Sequence, residues 1–458
     1  DVLELFAFVR PARFVLPTPR GLAQHLGLVR PQQGEDMAAI LPQIAFTLLD
    51  ELASTSDPKR AEAGRIATMM TAGGWKWGPY ILSHLGLPQP PIGPPDSQQA
   101  AIWNRLENYN DYTPQTEPGD HSILPDEARQ RLAEMLGDNA EPRLQQADYA
   151  AAVTASFNKL DAGPNPAMVL AEAGTGTGKT LGYLAPATLW AEKNGSAVWI
   201  STYTRTLQHQ IASELTRLYP DADMHDSKVV VRKGRENYLC LLNLEEALAQ
   251  MPGQPRHASA LGLMVRWAGA TRDGDLTGTS FPAWLLDLFN HGQTIGLADR
   301  RGECIHSACA HYNRCFVEKS IRRAKRADIV VTNHALVMVQ AAAHGGRDER
   351  RNPTRYIFDE GHHVFNAADS AFSAYLSGRE TAELRHWIRG AEDGQRGRAR
   401  GLKRRLEDLI GSDETALANI EETLETARAL PGQGWENRIS AAQPHGVGET
   451  FFMHLRAA

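Results

Sequence analysis

The segment AEAGTGTGKT, residues 171–180, constrains this chain more than any other stretch of it. It overlaps the end of a short apolar run, AMVLAE (167–172), and opens TLGYLAPATLWAEK (180–193), which has helical spacing. A strand, a Gly-rich turn and a helix in that order make a phosphate-binding loop. Gly174, Gly176 and Gly178, with Thr175 and Thr177 between them, let the backbone curl so that successive N–H groups converge on phosphate oxygens. The helix N-terminus adds partial positive charge. Lys179 then reaches the β- and γ-phosphates, and the Thr180 hydroxyl ligates Mg2+. Such a loop belongs to a parallel α/β sheet with crossover helices.

The rest of the chain agrees with that class. SAVWIST (196–202), DIVVTN (328–333) and RYIFDE (355–360) read as further short buried strands, and TRTLQHQIASELTRL (204–218) as a helix. A chain of 458 residues has room for two to four domains. Its 42% hydrophobic and 22% charged residues are ordinary for a globular protein. No apolar run approaches the roughly 20 residues that cross a bilayer. The opening DVLELFAFVR lacks the features of a secretory signal, so no membrane partner and a cytoplasmic location are expected. The net charge of −6 argues against a uniformly basic coat but leaves room for a local basic groove.

RYIFDEGHH (355–363) ends a strand in two carboxylates, at the end of the sheet where active sites of open α/β proteins collect. In a nucleotide-driven motor Asp359 holds Mg2+ through water and Glu360 polarises the water that attacks the γ-phosphate. His362 couples that site to bound nucleic acid. Upstream, in EPRLQQADYAAAV (141–153), Gln146 is the candidate to read adenine through its paired donor and acceptor, with Gln145 second. In STYTRTLQHQ (201–210), Thr202, Thr204 and Arg205 stand where a strand gives way to a helix. They suit contacts to a nucleic-acid backbone, and equally an ordinary capped helix.

The four cysteines are clustered, with Cys240 followed by Cys304, Cys309 and Cys315. A chain this long needs no disulfide scaffold, so four thiolates around an inserted segment point to a metal site. Zinc and iron–sulfur ligation both remain open on spacing alone. His306 and His311 are read as surface residues rather than ligands. Lys319, Arg322, Arg323, Lys325 and Arg326 form a basic run on a helix, either a solvated face or a strand contact. Near the N-terminus, Trp75, Trp77 and Tyr80 read as core aromatics of a helical region rather than a base-stacking surface. LPQPPIGPPD (87–96) cannot be helix interior.

Taken together, RLQQ, AEAGTGTGKT, STYTRTLQ, GRENYLC with the three later cysteines, VVTNHALVM and DEGHH resemble the DinG/XPD family of iron–sulfur superfamily-two helicases, on the bacterial DinG side. The match runs over roughly residues 140–370. The resemblance implies a RecA-like motor in two parts, 140–239 and 321–369, interrupted by a cluster-bearing insert at 240–320. Residues 1–139 become a mostly helical accessory region, and the charged helices of 370–458 the start of an Arch domain. It implies a [4Fe–4S] cluster on the cysteines, 5′ to 3′ ATP-driven movement along single-stranded DNA, and opening of single-strand/duplex junctions by a monomer in DNA repair or replication. Ala173 stands at the first glycine position of the general loop, as in helicase-type loops. Gly361 replaces the Ala of the family's DEAH box, an exchange expected to be tolerated. The family's second motor domain, with its Q-x-x-G-R-x-x-R-like arginine motif, has no counterpart in 365–458. The natural chain is therefore expected to continue, and this portion alone to hydrolyse ATP slowly, because such an arginine is worth ~10³–10⁵ in rate. Two rival readings remain: a nucleic-acid-binding protein with structural Zn2+ and a vestigial ATPase, and a P-loop enzyme acting on a small molecule.

Overall fold

Short runs rich in Val, Ile and Trp pair here as parallel strands. The computed structural model describes residues 1–32, 34–109, 118–137, 143–158, 167–174, 176–299, 304–344, 354–374, 376–390, 392, 401–432 and 434–457. In it, β1 (Val198–Thr202), β2 (Val229–Val231), β3 (Ile329–Asn333) and β4 (Arg355–Phe358) form a parallel sheet in the order β2-β3-β1-β4. The register sets Thr202 opposite Asn333 and Ser201 opposite both Thr332 and Phe358. The C-terminal ends of β1, β3 and β4 therefore line up at one edge, and Asp359 emerges there.

Strands β1, β2 and β3 are covered on both faces, as is usual for parallel sheets. Val198, Ile200, Ile329 and Val331 face a core built with Leu184, Trp190 and Ile211 of the flanking helices. The alternate residues Trp199, Val230 and Val330 pack on the other side against Ala324, Ala327 and Val337. Burying each such aliphatic side chain is worth about 1.5–3 kcal/mol. The helix Lys179–Asn194 runs from the Gly-rich loop across the first of these cores.

The described chain divides into two compact units. One comprises Asn110–Gly234 and Val317–Ala374 and holds the sheet. The helix Pro125–Leu136 belongs to it, burying Leu132 and Met135 in the larger core. The other unit comprises Asp1–Tyr109, Arg235–Phe316 and Tyr375–Ala458. Its described elements are helices and turns, including Glu35–Ala53, Asp57–Ala72, Ala258–Ala268 and Gly446–Ala457. Trp75 lies in its core and donates its indole N–H to Glu4 at 2.6 Å, whereas Tyr80 is exposed. Among the described residues no helix is long and apolar enough to cross a membrane.

Two strand assignments differ from the sequence reading. β2 escapes a period-two reading because it is only three residues long. AMVLAE (167–172), expected as the strand before the Gly-rich loop, is neither strand nor helix. Met168 and Leu170 are 80% and 89% exposed. A strand exists through its ladder partners, and among the described residues none pairs with this run. β4 is the last strand of the sheet on its side, with Tyr356 and Phe358 part-exposed there.

Candidate nucleotide site

The Gly-rich loop has the conformation its glycines were expected to allow. Gly176 and Gly178 have φ of +82° and +80°, a region that favours glycine. Gly178 is the N-cap of the helix Lys179–Asn194, so the unpaired N–H groups of that helix's first turn face the loop. Thr177 Oγ1 donates to the Gly174 carbonyl at 2.9 Å. Thr175 lies outside the described residues. Behind the loop runs the helix Leu144–Ala152. Its Gln146 is buried and donates Nε2 to the Gly178 carbonyl at 2.8 Å. A Cβ on Gly178 would lie 2.2 Å from that nitrogen. Gln146 is thus a buttress of the loop in this structure, while Gln145 is exposed. Arg143 donates Nη1 to the Gly176 carbonyl at 2.8 Å, a support that the sequence reading missed although it opens the RLQQ motif.

The acidic pair stands across from the loop. Lys179 Nζ is 3.7 Å from Glu360 Oε1. Asp359 N–H donates to the Ser201 carbonyl at 2.8 Å, extending the β1–β4 ladder by one residue. Its Oδ2 accepts from Thr202 Oγ1 at 3.0 Å. Burial pushes the Asp359 carboxyl above its ordinary pKa; Thr202 and Lys179 oppose this and Glu360 adds to it. Tyr183, on the loop helix, has its phenol pushed far up by burial and then by the Asp359 charge. Thr180 follows Lys179 in the first turn of the same helix. Glu360 itself is left-handed, with φ +53° and ψ +48°, a strained position of the kind found at functional turns. A Cβ at Gly361 would meet nothing within 4 Å, so Gly and Ala fit equally in that box. His362 is largely exposed, with Nδ1 3.7 Å from Glu360 Oε2.

Other groups at this edge were missed from sequence. His334, just beyond β3, is buried, and its Nδ1 lies 2.7 Å from Ser201 Oγ. Burial holds its pKa below the ordinary histidine value. His363 stacks on Tyr203, with ring centroids 3.7 Å apart and planes 14° from parallel. Only the family-like string VVTNHALVM and the doubled histidine hinted at either.

The candidate strand contacts fare unevenly. Thr202 is fully buried, and its hydroxyl is turned to Asp359. Thr204 caps the helix Arg205–Glu214, its Oγ1 accepting from Leu207 N–H at 3.2 Å. Arg205 is exposed beside it. Arg322 and Arg323 are half-buried, and Arg323 donates to the Asp226 carbonyl.

None of the four cysteines is in a disulfide; all are half-buried and lie in the other unit. Cys240 caps the helix Leu241–Gln250. Burial pushes its thiol up to about 12, with the Asp299 carboxylate and Cys315 adding to the effect. Arg235 pairs with Asp299 at 2.6 Å and faces Cys304. Among the described residues no three His, Cys, Asp or Glu side chains stand together as a metal site. As a donor set, four thiols in one unit fit a thiolate-bound metal or cluster. His311 is not a surface residue: it is buried, 2.8 Å from Glu245, with its ring against Trp103. His306 is exposed, as expected.

A phosphate loop opening a helix, with an acidic pair beyond a neighbouring parallel strand, defines a RecA-like P-loop protein. The DEAD/DEAH box helicase family matches residues 154–245. The chain is 35% identical over 252 residues to the ATP-dependent DNA helicase YoaA of Escherichia coli, covering 53% of this chain and 36% of that protein. The YoaA helicase of Haemophilus influenzae is 31% identical over 247 residues, with the same shares. The ATP-dependent DNA helicase DinG of Photobacterium profundum is 30% identical over 273 residues, 56% of this chain and 38% of that protein. The chain thus spans little more than a third of the length of these relatives.

Proposed function

We propose that the protein is an ATP-dependent DNA helicase that couples ATP hydrolysis to 5′ to 3′ movement on single-stranded DNA and opens single-strand/duplex junctions. The observation that carries this reading is the acidic pair itself: Asp359 tied to Thr202, and Glu360 set 3.7 Å from the loop lysine. In the reaction the backbone N–H groups of residues 176–179 hold the phosphates, and Lys179 neutralises charge on the γ-phosphoryl group. Glu360 orients water and accepts its proton, and His362 leans on Glu360 from the solvent side. Thr180 and Asp359 would hold Mg2+, which when bound offsets phosphate charge. Cys240, Cys304, Cys309 and Cys315 would hold a [4Fe–4S] cluster. Arg205, Arg322 and Arg323 are the candidate backbone contacts, and binding to single strands is salt-sensitive and largely blind to sequence. Such work on DNA, as a monomer in repair or replication, belongs in the bacterial cytoplasm.

The test uses the whole natural protein. Single-stranded DNA stimulates its ATP hydrolysis and it unwinds a duplex with a 5′ overhang; Lys179→Ala and Glu360→Ala each lower both by at least ~10²-fold. Undiminished turnover in either variant sinks the reading. Iron and acid-labile sulfide at about four each per chain, lost in Cys304→Ser, support the cluster; one zinc and no iron replace it with a structural zinc module.

A further inference from the structure

Three consecutive residues at the end of β1 each hold a different part of the catalytic turn. Ser201 accepts the Asp359 N–H through its carbonyl, and its hydroxyl meets His334. Thr202 donates its hydroxyl to the Asp359 carboxylate. Tyr203 stacks its ring on His363. The first two contacts are buried and hold the site in place. The third is different: Tyr203 is 54% exposed, and the next two residues are the helix cap Thr204 and the exposed Arg205. His363 is fixed in turn to the catalytic glutamate. Its N–H donates to the Glu360 carbonyl at 3.0 Å across the tight turn Gly361–His363, and its ring lies 4.0 Å from that of His362.

From this arrangement we propose that the Tyr203–His363 stack is the contact through which a DNA strand seated at Thr204–Arg205 sets the position of Glu360. The proposal rests on the helicase reading and deepens it. A planar stacked pair is suited to this task because a displacement of one ring is felt directly by the other. Glu360 stands in a left-handed conformation that its surroundings must maintain. A small shift of the Gly361–His363 turn therefore changes how the carboxylate meets the attacking water. Tyr203 and His363 are positioning residues: neither touches the reacting atoms.

The experiment is a double-mutant cycle in the whole natural protein, with ATP hydrolysis measured against increasing single-stranded oligothymidylate. Tyr203→Ala and His363→Ala each lower the maximal stimulation by roughly 3- to 10-fold, as expected for losing one aromatic pair. The double variant is no worse than the more damaged single one, because both remove the same contact. Tyr203→Phe, which keeps the stack, restores stimulation to within about twofold of the parent. Losses that multiply in the double variant overturn the proposal. So does a loss confined to the half-activating DNA concentration, which makes Tyr203 a simple DNA contact. If alanine prevents folding, Tyr203→Leu and His363→Leu keep the bulk and remove the ring plane. A parent protein that DNA does not stimulate overturns the helicase reading and this coupling with it. A stimulated parent with stimulated alanine variants overturns the coupling alone.

Discussion

Asp359 and Glu449 are both carboxylates withdrawn from water, and their surroundings do opposite things to them. Glu449, in the helix Gly446–Ala457, is 1% exposed. It accepts from Arg438 Nε at 2.9 Å, from Gly432 N–H at 3.2 Å and from His445 N–H at 2.8 Å. The Arg438 guanidinium, followed by the two backbone donors, outweighs burial and holds its pKa at about 2 instead of 4.5. Asp359 has the Thr202 hydroxyl, a like charge on Glu360 next door, and a pKa pushed up by burial. The first carboxylate is saturated with donors and serves to hold its helices together. The second has its burial only partly offset, by the Thr202 hydroxyl and the Lys179 charge.

The largest effect expected from this contrast is at Glu449. Glu449→Ala removes the carboxylate that Arg438 pairs with and the acceptor of two backbone N–H groups, and should cost about 3 kcal/mol. Denaturant unfolding followed on the helices of residues 435–457 measures it; a cost below about 1 kcal/mol would mean that the pair is merely superficial. The pH dependence follows from the direction of the shift. A carboxyl with a depressed folded pKa contributes stability that is present above its unfolded pKa and is lost as pH falls through the folded one. The loss should therefore run from about 4.5 down to about 2, and Glu449→Gln should flatten that part of the curve.

The same contrast explains what sequence could reveal. The Gly-rich loop, the acidic pair and β1, β3 and β4 are legible because each is a local pattern whose chemistry is fixed by residues close in sequence. The contact of Thr202 with Asp359 was not legible, for the opposite reason. Its hydroxyl is 157 positions from its partner Asp359, and nothing local says which way a strand-end threonine points. Gln146 and Arg143 likewise do their work across the fold, on the carbonyls of Gly178 and Gly176. The 167–172 run failed as a strand because a strand is a property of pairs, and composition supplies only one member. The cysteines lie between these cases. Their residue type announces a thiolate site, but the shape of such a site is imposed by what it binds as much as by the chain.

An intermediate effect is expected at Thr202. Thr202→Val keeps the volume and removes the hydroxyl that donates to the Asp359 carboxylate at 3.0 Å. Losing a hydrogen bond to a charged group costs about 1.5–3 kcal/mol. Part of that should appear as weaker binding of the Mg2+–nucleotide complex, by roughly tenfold, read by titration with a fluorescent ATP analogue. If Thr202 instead served as a DNA contact, nucleotide affinity would stay unchanged and the salt dependence of DNA binding would move.

The smallest effect has the most informative sign. A carboxyl whose folded pKa is raised contributes stability that is full below its unfolded pKa and is lost as pH rises through the folded one. At neutral pH Asp359 is therefore a net cost to the protein without nucleotide, and Asp359→Asn should remove it while keeping an oxygen for Thr202 to donate to. Thermal unfolding without Mg2+ or nucleotide should show a small rise for this variant, even though hydrolysis is lost. Adding Mg2+ and ATP should then stabilise the parent more than the variant, reversing the order. A fall in the variant's stability without ligand would place Asp359 with Glu449, as a residue kept for the fold. A rise would show that the site holds a charge at the fold's expense, because that charge is what a bound cation requires.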